Sequence, residues 1–353
     1  MAKALIAMSG GVDSSVAAYL TMQEGYTCIG GTMTLYIPQN DPSKADQSIA
    51  DSKAVADRLG IEHHIFPLGD VFEEKVIQNF IRCYECGLTP NPCIDCNRHL
   101  KFDALLKKAL ALGCDHVVTG HYAQISFDPD SGRYLLKKAA DEAKDQTYFL
   151  YNLDQHQLSH ILFPLGGLEK DQVRQIAEAQ LFINAKKQDS QDICFIPDGD
   201  YLSFIEQYTG KSYTPGDFLD LQGNVVGKHR GAVGYTLGQR KGLGVAMGTP
   251  VYVCSKDMDA NTVTLGPNEA LYHRTLRAKD WNWVSIPELT APIRIMAKAR
   301  SRMTEQPGWV YPEENGCARV EFDEPQRAIT PGQAVVLYDG DTVVGGGTIT
   351  EVL

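Results

Sequence analysis

The chain has 353 residues, 43% of them hydrophobic and 22% charged, which suits a globular protein of two or three domains with sizeable cores. Its net charge of −11 excludes a broadly basic face, so a nucleic-acid partner would have to be met by local patches such as Lys107-Lys108, Lys137-Lys138, Lys186-Lys187, Arg240-Lys241 or Arg294 to Arg302. No apolar run approaches a membrane span, and no charged-plus-apolar leader precedes the first apolar stretch, so we expect a cytoplasmic protein without a membrane partner.

Ala4-Leu5-Ile6-Ala7-Met8 reads as a short buried strand. Ser9-Gly10-Gly11-Val12-Asp13-Ser14-Ser15 follows, and then Val16-Ala17-Ala18-Tyr19-Leu20 opens an amphipathic helix. In such a strand–loop–helix turn the glycines allow close approach and positive φ. Successive N–H groups point into the loop, the helix N-terminus adds partial positive charge, and three serines add hydroxyls. That is a phosphate cradle, although the Gly-Lys-Ser/Thr ending of the Walker loop is missing. The plainer reading is a Ser/Gly turn that caps a helix through Asp13 or Ser14.

Further strands are expected at Thr27–Met33, His63–Leu68 and Asp115–Gly120, with helices at Ser52–Leu59, Phe72–Tyr84 and 97–112 between them. This alternation predicts an α/β fold, a doubly wound parallel sheet with the phosphate loop at the C-terminal end of its first strand. A hairpin is expected around Asp128-Pro129-Asp130-Ser131-Gly132, and helices near 154–162 and 169–179. Beyond about residue 205 the chain turns β-rich, with runs such as Thr262–Leu265 and Ala334–Tyr338 and a turn at Asp339-Gly340-Asp341. We expect three units: a nucleotide-binding catalytic domain at 1–205, a small central β domain at 206–275, and a C-terminal β-barrel at 276–353. The Gly-x-Gly of 242–248 lies between β-like runs and fails the context test for a dinucleotide fingerprint.

Nine cysteines, an odd number, argue against a disulfide framework. Cys28, Cys114, Cys254 and Cys317 read as small core residues. The stretch Thr89-Pro90-Asn91-Pro92-Cys93-Ile94-Asp95-Cys96-Asn97-Arg98 is different, a polar loop stiffened by two prolines. Cys96 just before a helix expected to start at Asn97, with Arg98 and Lys101 nearby, predicts a thiol of lowered pKa. Cys194 lies in Asp189-Ser190-Gln191-Asp192-Ile193-Cys194-Phe195-Ile196, where an apolar pair argues for core and the polar cluster argues for a site. Cys83-x₂-Cys86-x₆-Cys93-x₂-Cys96 could bind zinc through four thiolates, though its six-residue gap is short for a zinc ribbon.

The heptapeptide Ser9–Ser15 resembles the PP-loop of ATP pyrophosphatases, enzymes that split ATP between the α- and β-phosphates. With Met8–Ser15, Thr89–Phe102, Thr119-Gly120-His121-Tyr122-Ala123 and Asp189–Ile196 in order, the whole chain resembles the tRNA-specific 2-thiouridylase family. Lys144–Leu150, Gly234–Gly244 and Thr330-Pro331-Gly332-Gln333 also fit. The resemblance implies adenylation of the wobble uridine 2-carbonyl oxygen of tRNA by ATP with Mg²⁺, followed by sulfur transfer that releases AMP. It implies an ATP site at Ala7, Met8, Ser9, Gly10, Gly11, Val12, Asp13 and Ser14, with Met33 and Gly120 flanking the adenine and ribose. Cys96 is implied as nucleophile and Cys194 as the persulfide-bearing residue, able to pair as a disulfide, with sulfur arriving from a persulfide carrier protein or as sulfide. The flipped base is expected at Asn91, Pro92 and Cys93, and further tRNA contacts at His121, Lys144, Asp145, Gln146, Arg300, Ser301 and Gln333. Family members commonly have tyrosine after the arginine at Arg300, where this chain has Ser301.

Some family members have Asp at the position of Cys93. With Cys96 and Cys194, Cys93 makes a three-thiolate set able to hold a 4Fe–4S cluster, and in that case Cys96 would be a ligand rather than a free nucleophile. Two other functions compete. Another PP-loop ATP pyrophosphatase, amide-forming or argininosuccinate-type, explains the first 125 residues and leaves the cysteines and the β-rich half unexplained. A non-catalytic RNA-binding or sulfur-relay protein would carry a vestigial ATP site.

Overall fold

The computed structural model describes residues 1–35, 43–187 and 193–353. Asp189, Ser190, Gln191 and Asp192, the polar cluster before Cys194, lie outside the described residues.

Five parallel strands form the first sheet: β1 (Lys3–Ala7), β2 (Thr27–Thr34), β3 (Glu62–Pro67), β4 (His116–Val118) and β7 (Ile161–Leu162). Their order is β3-β2-β1-β4-β7. The chain reverses its winding between β1 and β4, and such a switch point opens a crevice at the C-terminal strand ends. β1 is buried on both faces, as a central parallel strand must be. Leu5 packs into the core beneath one face, while Ala4 and Ile6 pack into the core of the other.

α1 (Val12–Gln23) and α6 (Lys170–Ala179) cover the Ala4/Ile6 face. α3 (69–85) and α4 (92–111) cover the Leu5 face. Both of these helices contain a π-wound segment, Glu73–Ile77 in α3 and Cys96–Ala104 in α4. α4 starts earlier than the spacing predicted: Asn91 is its N-cap, accepting the Cys93 N–H at 3.2 Å, and Pro92 takes the first helical position. α2 (Ser43–Leu59) is longer than expected. The helix expected over 154–162 is instead the short α5 (Gln155–Ser159), closed by an Asp154–Gln157 capping box, and Ile161–Leu162 goes to the sheet.

The β-rich half makes two assemblies. β8 (Gly216–Leu219), β9 (Val225–His229), β10 (Tyr252–Asp257) and β11 (Thr262–Gly266) form a four-stranded sheet in the order β10-β11-β8-β9. Six strands close a barrel: β12 (Tyr272–Trp283), β13 (Ile293–Lys298), β14 (Gln306–Pro312), β15 (Ala318–Arg327), β16 (Ala334–Asp339) and β17 (Thr342–Val352). The β12–β17 pairing closes the ring and leaves no free edge inside it.

The expected hairpin, β5 (Gln124–Asp128) with β6 (Arg133–Lys137), extends the barrel's sheet through Lys137 opposite Thr342. Arg133 reaches Trp283 O and Val284 O, both at 2.9 Å, and Lys138 Nζ reaches Glu305 at 2.8 Å. A second contact ties the barrel to the cysteine stretch. Thr89 N donates to Pro331 O at 3.0 Å, and the Gln333 amide donates to Thr89 O at 2.8 Å and Pro90 O at 3.2 Å. Gly332 has φ +91°, and a Cβ there would lie 2.8 Å from Thr89 N, so this approach requires glycine.

Candidate functional site

The Ser9–Ser15 loop leaves β1 at the switch point. Gly10 has φ +70°, and a Cβ on it would meet Ser48 O at 2.7 Å. Gly11 is the N-cap of α1 and supplies no side chain, so neither Asp13 nor Ser14 caps the helix and its first N–H groups face the loop. Ser14 Oγ instead accepts Ser9 N at 3.2 Å and donates to Gly11 O at 3.0 Å. Met8 is buried under the loop, with its carbonyl accepting the Thr32 hydroxyl at 2.9 Å. Val12 is buried, Ala7 half-buried and Ser9 exposed. Met33, half-buried at the end of β2, packs against the core below the same rim.

Three partners of this loop come from far along the chain and were missed in the sequence. Lys170 Nζ, almost fully buried, grips the Asp13 carboxylate at 2.7 and 2.9 Å, and Tyr122 Oη donates to it at 2.9 Å. Asn184 Nδ2 donates to Gly10 O at 3.2 Å and to Ser15 Oγ at 2.9 Å. Lys187 Nζ donates to Gly10 O at 3.1 Å and to Asp51 at 2.8 Å, and holds the Asp51 carboxyl below the usual range. Lys187 had read only as half of a surface pair. No motif marks Lys170 or Asn184.

Gly120, just past β4, closes the crevice. A Cβ there would lie 2.7 Å from the Asp13 carbonyl carbon and 2.8 Å from Ser14 N. The next residue, His121, is buried against Phe102 and Phe163. Lys101 Nζ donates to His121 Nε2 at 3.4 Å, which leaves Nδ1–H to donate to Thr119 Oγ1 at 2.7 Å. Burial, helped by Lys101, keeps this imidazole neutral by lowering its pKa well below the usual value. One short loop therefore touches the phosphate cradle on one side and Lys101 of α4 on the other.

Cys93, Cys96 and Cys194 lie within electrostatic reach of one another and of Lys101. Cys96 packs against the core beneath the sheet, and Phe195 and Ile196 belong to that core. Phe195 fixes the position of Cys194 by standing edge-on to Phe72 at 5.6 Å and to Phe80 at 5.4 Å. A buried ring of this kind contributes ~1.5–3 kcal/mol. Cys93 and Cys194 touch solvent at the mouth of a crowded recess, while Cys96 is half-buried.

The expected low pKa of Cys96 is not found. Burial pushes its thiol up, Lys101 opposes, and Cys93 and Asp95 push it further up. Burial is the main reason, and Cys96 also lies inside α4 rather than at its N-terminus, so it gains little from the helix dipole. Burial, reinforced by Cys96 and Cys93, pushes the Cys194 thiol up to about 12. Asp95, between the two cysteines in sequence, is raised to about 6 by burial, against a hydrogen bond from Asn79 at 2.8 Å and the charges of Arg98 and Arg82.

All nine cysteines are free thiols, and among the described residues no group of three His, Cys, Asp or Glu side chains converges as a metal site. Neither the Cys93–Cys96–Cys194 set nor the Cys83–Cys86–Cys93–Cys96 set is thus assembled as ligands. Cys83 and Cys86 line a separate cavity of about 370 Å³ with Asn79, Arg82, Asp95 and Lys279. Cys28 and Cys114 are buried, while Cys254 and Cys317 are only half-buried.

The remaining expected positions divide. Asn91 caps α4 and is half-buried, Pro92 is buried, and Cys93 is exposed. Asp145 accepts the Ala139 N–H at 3.1 Å and the Thr147 hydroxyl at 2.6 Å. Gln146 accepts the Tyr122 N–H at 2.9 Å and so holds the loop that carries His121. Lys144 is half-buried beside them. The Arg300 guanidinium bonds Leu237 O at 2.9 Å and the Thr330 hydroxyl, which joins the barrel to the central sheet. Ser301 lies in the turn that follows, and Gln333 is spent on the Thr89–Pro90 backbone.

Three family models match the chain: tRNA methyl transferase HUP domain at residues 2–198, tRNA methyl transferase PRC-barrel domain at 202–267 and aminomethyltransferase beta-barrel domain at 273–349. Among curated relatives, the tRNA-specific 2-thiouridylase MnmA of Acetivibrio thermocellus is 49% identical over 354 residues, covering 98% of this chain and 99% of that protein. The protein of the same name from Clostridioides difficile (strain 630) is 48% identical over 357 residues, covering 99% of each. Among solved structures, the U34-tRNA thiolase NcsA from Methanococcus maripaludis with its [4Fe-4S] cluster aligns with a TM-score of 0.37 and 18% identity, over 59% of this chain and 67% of that one. A likeness that loose carries no weight.

Proposed function

The chain belongs to the tRNA-specific 2-thiouridylase family and is an ATP-using tRNA-uridine 2-sulfurtransferase; from that premise we propose which residues carry its two half-reactions. The Ser9–Ser14 loop binds the phosphates of ATP, with Ala7, Met8, Met33 and Gly120 around the nucleoside. The uridine 2-carbonyl oxygen attacks the α-phosphorus, pyrophosphate leaves, and the carbonyl oxygen becomes part of a good leaving group, AMP. Lys170 neutralises Asp13, so the loop meets the triphosphate without a bare carboxylate. Mg²⁺ accompanies ATP. Asp13 is the one carboxylate of the loop and is already engaged, so no step here depends on a metal held by it.

Sulfur reaches Cys194 from the persulfide of a carrier protein: the Cys194 thiolate attacks the outer sulfur, and the carrier's cysteine leaves as a thiol. The terminal sulfur attacks C2 and AMP departs with the former carbonyl oxygen. The Cys96 thiolate then attacks Cys194 Sγ, its proton having gone to solvent. The bond from Cys194 to the transferred sulfur breaks, a Cys96–Cys194 disulfide forms, and its electron pair leaves sulfur on C2 as a thiocarbonyl. An external dithiol returns both cysteines to thiols. We route no step through an iron–sulfur cluster, because the three thiols do not converge as a ligand set. We also propose that the three segments at 1–205, 206–275 and 276–353 act as catalytic, central and tRNA-binding units. We propose that this work is done in the cytoplasm, where tRNA substrates are met; among the described residues no helix is long and apolar enough to cross a membrane.

The observation that most supports this reading is that Cys96 and Cys194, some hundred positions apart, share one electrostatic neighbourhood beside the loop that closes on the phosphate cradle. The experiment is reconstitution with tRNA, ATP, Mg²⁺ and a persulfide donor, followed by nucleoside mass spectrometry. Cys96→Ser and Cys194→Ser should each abolish 2-thiouridine while sparing pyrophosphate release. Persistent thiolation in either variant would overturn the assignment.

A further inference from the structure

We propose that Lys101 is the cation that steadies the sulfur anions of this site, held in place by the π-wound turn of α4 and by His121. The inference rests on the roles given above to Cys96 and Cys194.

The first observation is geometric. Lys101 follows Cys96 by five residues. In an α-helix a five-residue step carries a side chain about 140° round the axis, away from its starting face. From Cys96 to Ala104 the helix is π-wound, and the Leu105 N–H reaches Leu100 O, five residues back. Such winding returns the fifth residue to the face of the first, so Lys101 stands on the same side as Cys96. π-Turns of this kind cost regular hydrogen bonding and recur at functional sites. Here the turn has a consequence that a regular helix would not give.

The second observation is the anchor. The Lys101 ammonium donates to His121 Nε2 at 3.4 Å, and His121 is itself locked by Thr119 Oγ1 at 2.7 Å and by the rings of Phe102 and Phe163. His121 is buried and neutral, so it can accept that bond without repelling the ammonium. Its two ring nitrogens are engaged by Lys101 and Thr119, and in this inference it positions Lys101.

The third is the set of charges around the thiols. Among the described residues, the titratable groups acting on Cys96 are Lys101, Cys93 and Asp95, and those acting on Cys194 are Cys96, Cys93 and Lys101. Among the described residues, Lys101 is the one cation common to Cys93, Cys96 and Cys194. When Cys96 attacks Cys194 Sγ, negative charge passes from one sulfur to the transferred sulfur, while Lys101 stays protonated and gains or loses no bond. Its contribution is electrostatic and is stronger at half-buried Cys96 than at Cys93 and Cys194, which touch solvent.

The test compares Lys101→Met, Lys101→Arg and His121→Leu by the pH dependence of alkylation at each cysteine, read by mass spectrometry. In Lys101→Met, alkylation of Cys96 at pH 8 should slow roughly tenfold and its midpoint should move up by about one unit. Lys101→Arg should restore most of the rate, and His121→Leu should fall between. Thermal melts and ATP binding are run alongside, and if Lys101→Met melts below the assay temperature, Lys101→Gln takes its place. A wild-type alkylation profile in Lys101→Met or Lys101→Gln overturns the inference. Loss of thiolation in Cys96→Ser and Cys194→Ser, with an unaltered profile in the lysine variants, would sink this inference and leave the cysteine roles standing. Retained thiolation in the cysteine variants would remove the roles themselves.

Discussion

Gly120→Ala tests how closely the nucleotide loop and the end of β4 must fit. The substituted methyl would lie 2.7 Å from the Asp13 carbonyl carbon, 2.8 Å from Ser14 N and 2.9 Å from Asp13 Cβ. Carbon contacts need about 3.5 Å, so the loop backbone must retreat by about 0.8 Å. None of the three atoms is the tip of a flexible side chain. Gly120 has no positive φ, so alanine adds no backbone strain and the effect isolates the contact. Overpacking of this kind costs about 1–3 kcal/mol, and a shift near 1 Å at a reacting group can cost about 10²-fold in rate. We expect ATP-dependent AMP formation to fall 10- to 100-fold in kcat/KM, with a melting temperature lower by a few degrees. Gly167→Ala is the control, because a Cβ there meets nothing within 4 Å. Wild-type ATP affinity and AMP formation in Gly120→Ala would refute the argument that this approach shapes the site.

Three further outcomes follow from other contacts. Lys170→Met leaves Asp13 unneutralised against the triphosphate and should raise KM for ATP about tenfold or more, with partial rescue by Lys170→Arg, measured by pyrophosphate release. Asp95→Asn concerns stability. The folded-state pKa of Asp95, about 6, exceeds its ordinary value, so the fold loses stability as pH rises from about 4 to 6. Asparagine removes that loss and should stabilise the protein at pH 7 by on the order of 2–3 kcal/mol and flatten the curve across that window, and a denaturant series with no such flattening would count against a buried carboxylate. Gly332→Ala drives a Cβ into Thr89 N and should loosen the barrel from the cysteine stretch, detected as faster amide exchange over 88–92 with ATP binding unchanged.

The phosphate loop was legible because its chemistry needs contiguous residues, and a strand, two glycines and three hydroxyls announce it. The parallel sheet was legible because its strands alternate with helical spacing. The start of α4 was also written in the chain, since Asn91-Pro92 is an N-cap followed by proline at the first helical position. Reading the helix from Asn97 put Cys96 at a helix end and gave it the wrong pKa direction. Burial outweighs a dipole, and burial is a tertiary property that no local pattern reports. Lys170, Asn184 and Lys187 reach the loop from more than 150 residues away, so nothing local marks them. Arg300 and Gln333 were expected as tRNA contacts from the resemblance, and no local pattern reports that the fold also uses both at joints between its parts.

The most direct measurement places ¹⁸O on the C2 carbonyl of the target uridine and runs a single turnover with persulfide-loaded enzyme, ATP and tRNA. One ¹⁸O is expected in AMP for every 2-thiouridine formed, together with one Cys96–Cys194 disulfide. Label found in water or pyrophosphate, or thiolation without that disulfide, would contradict it.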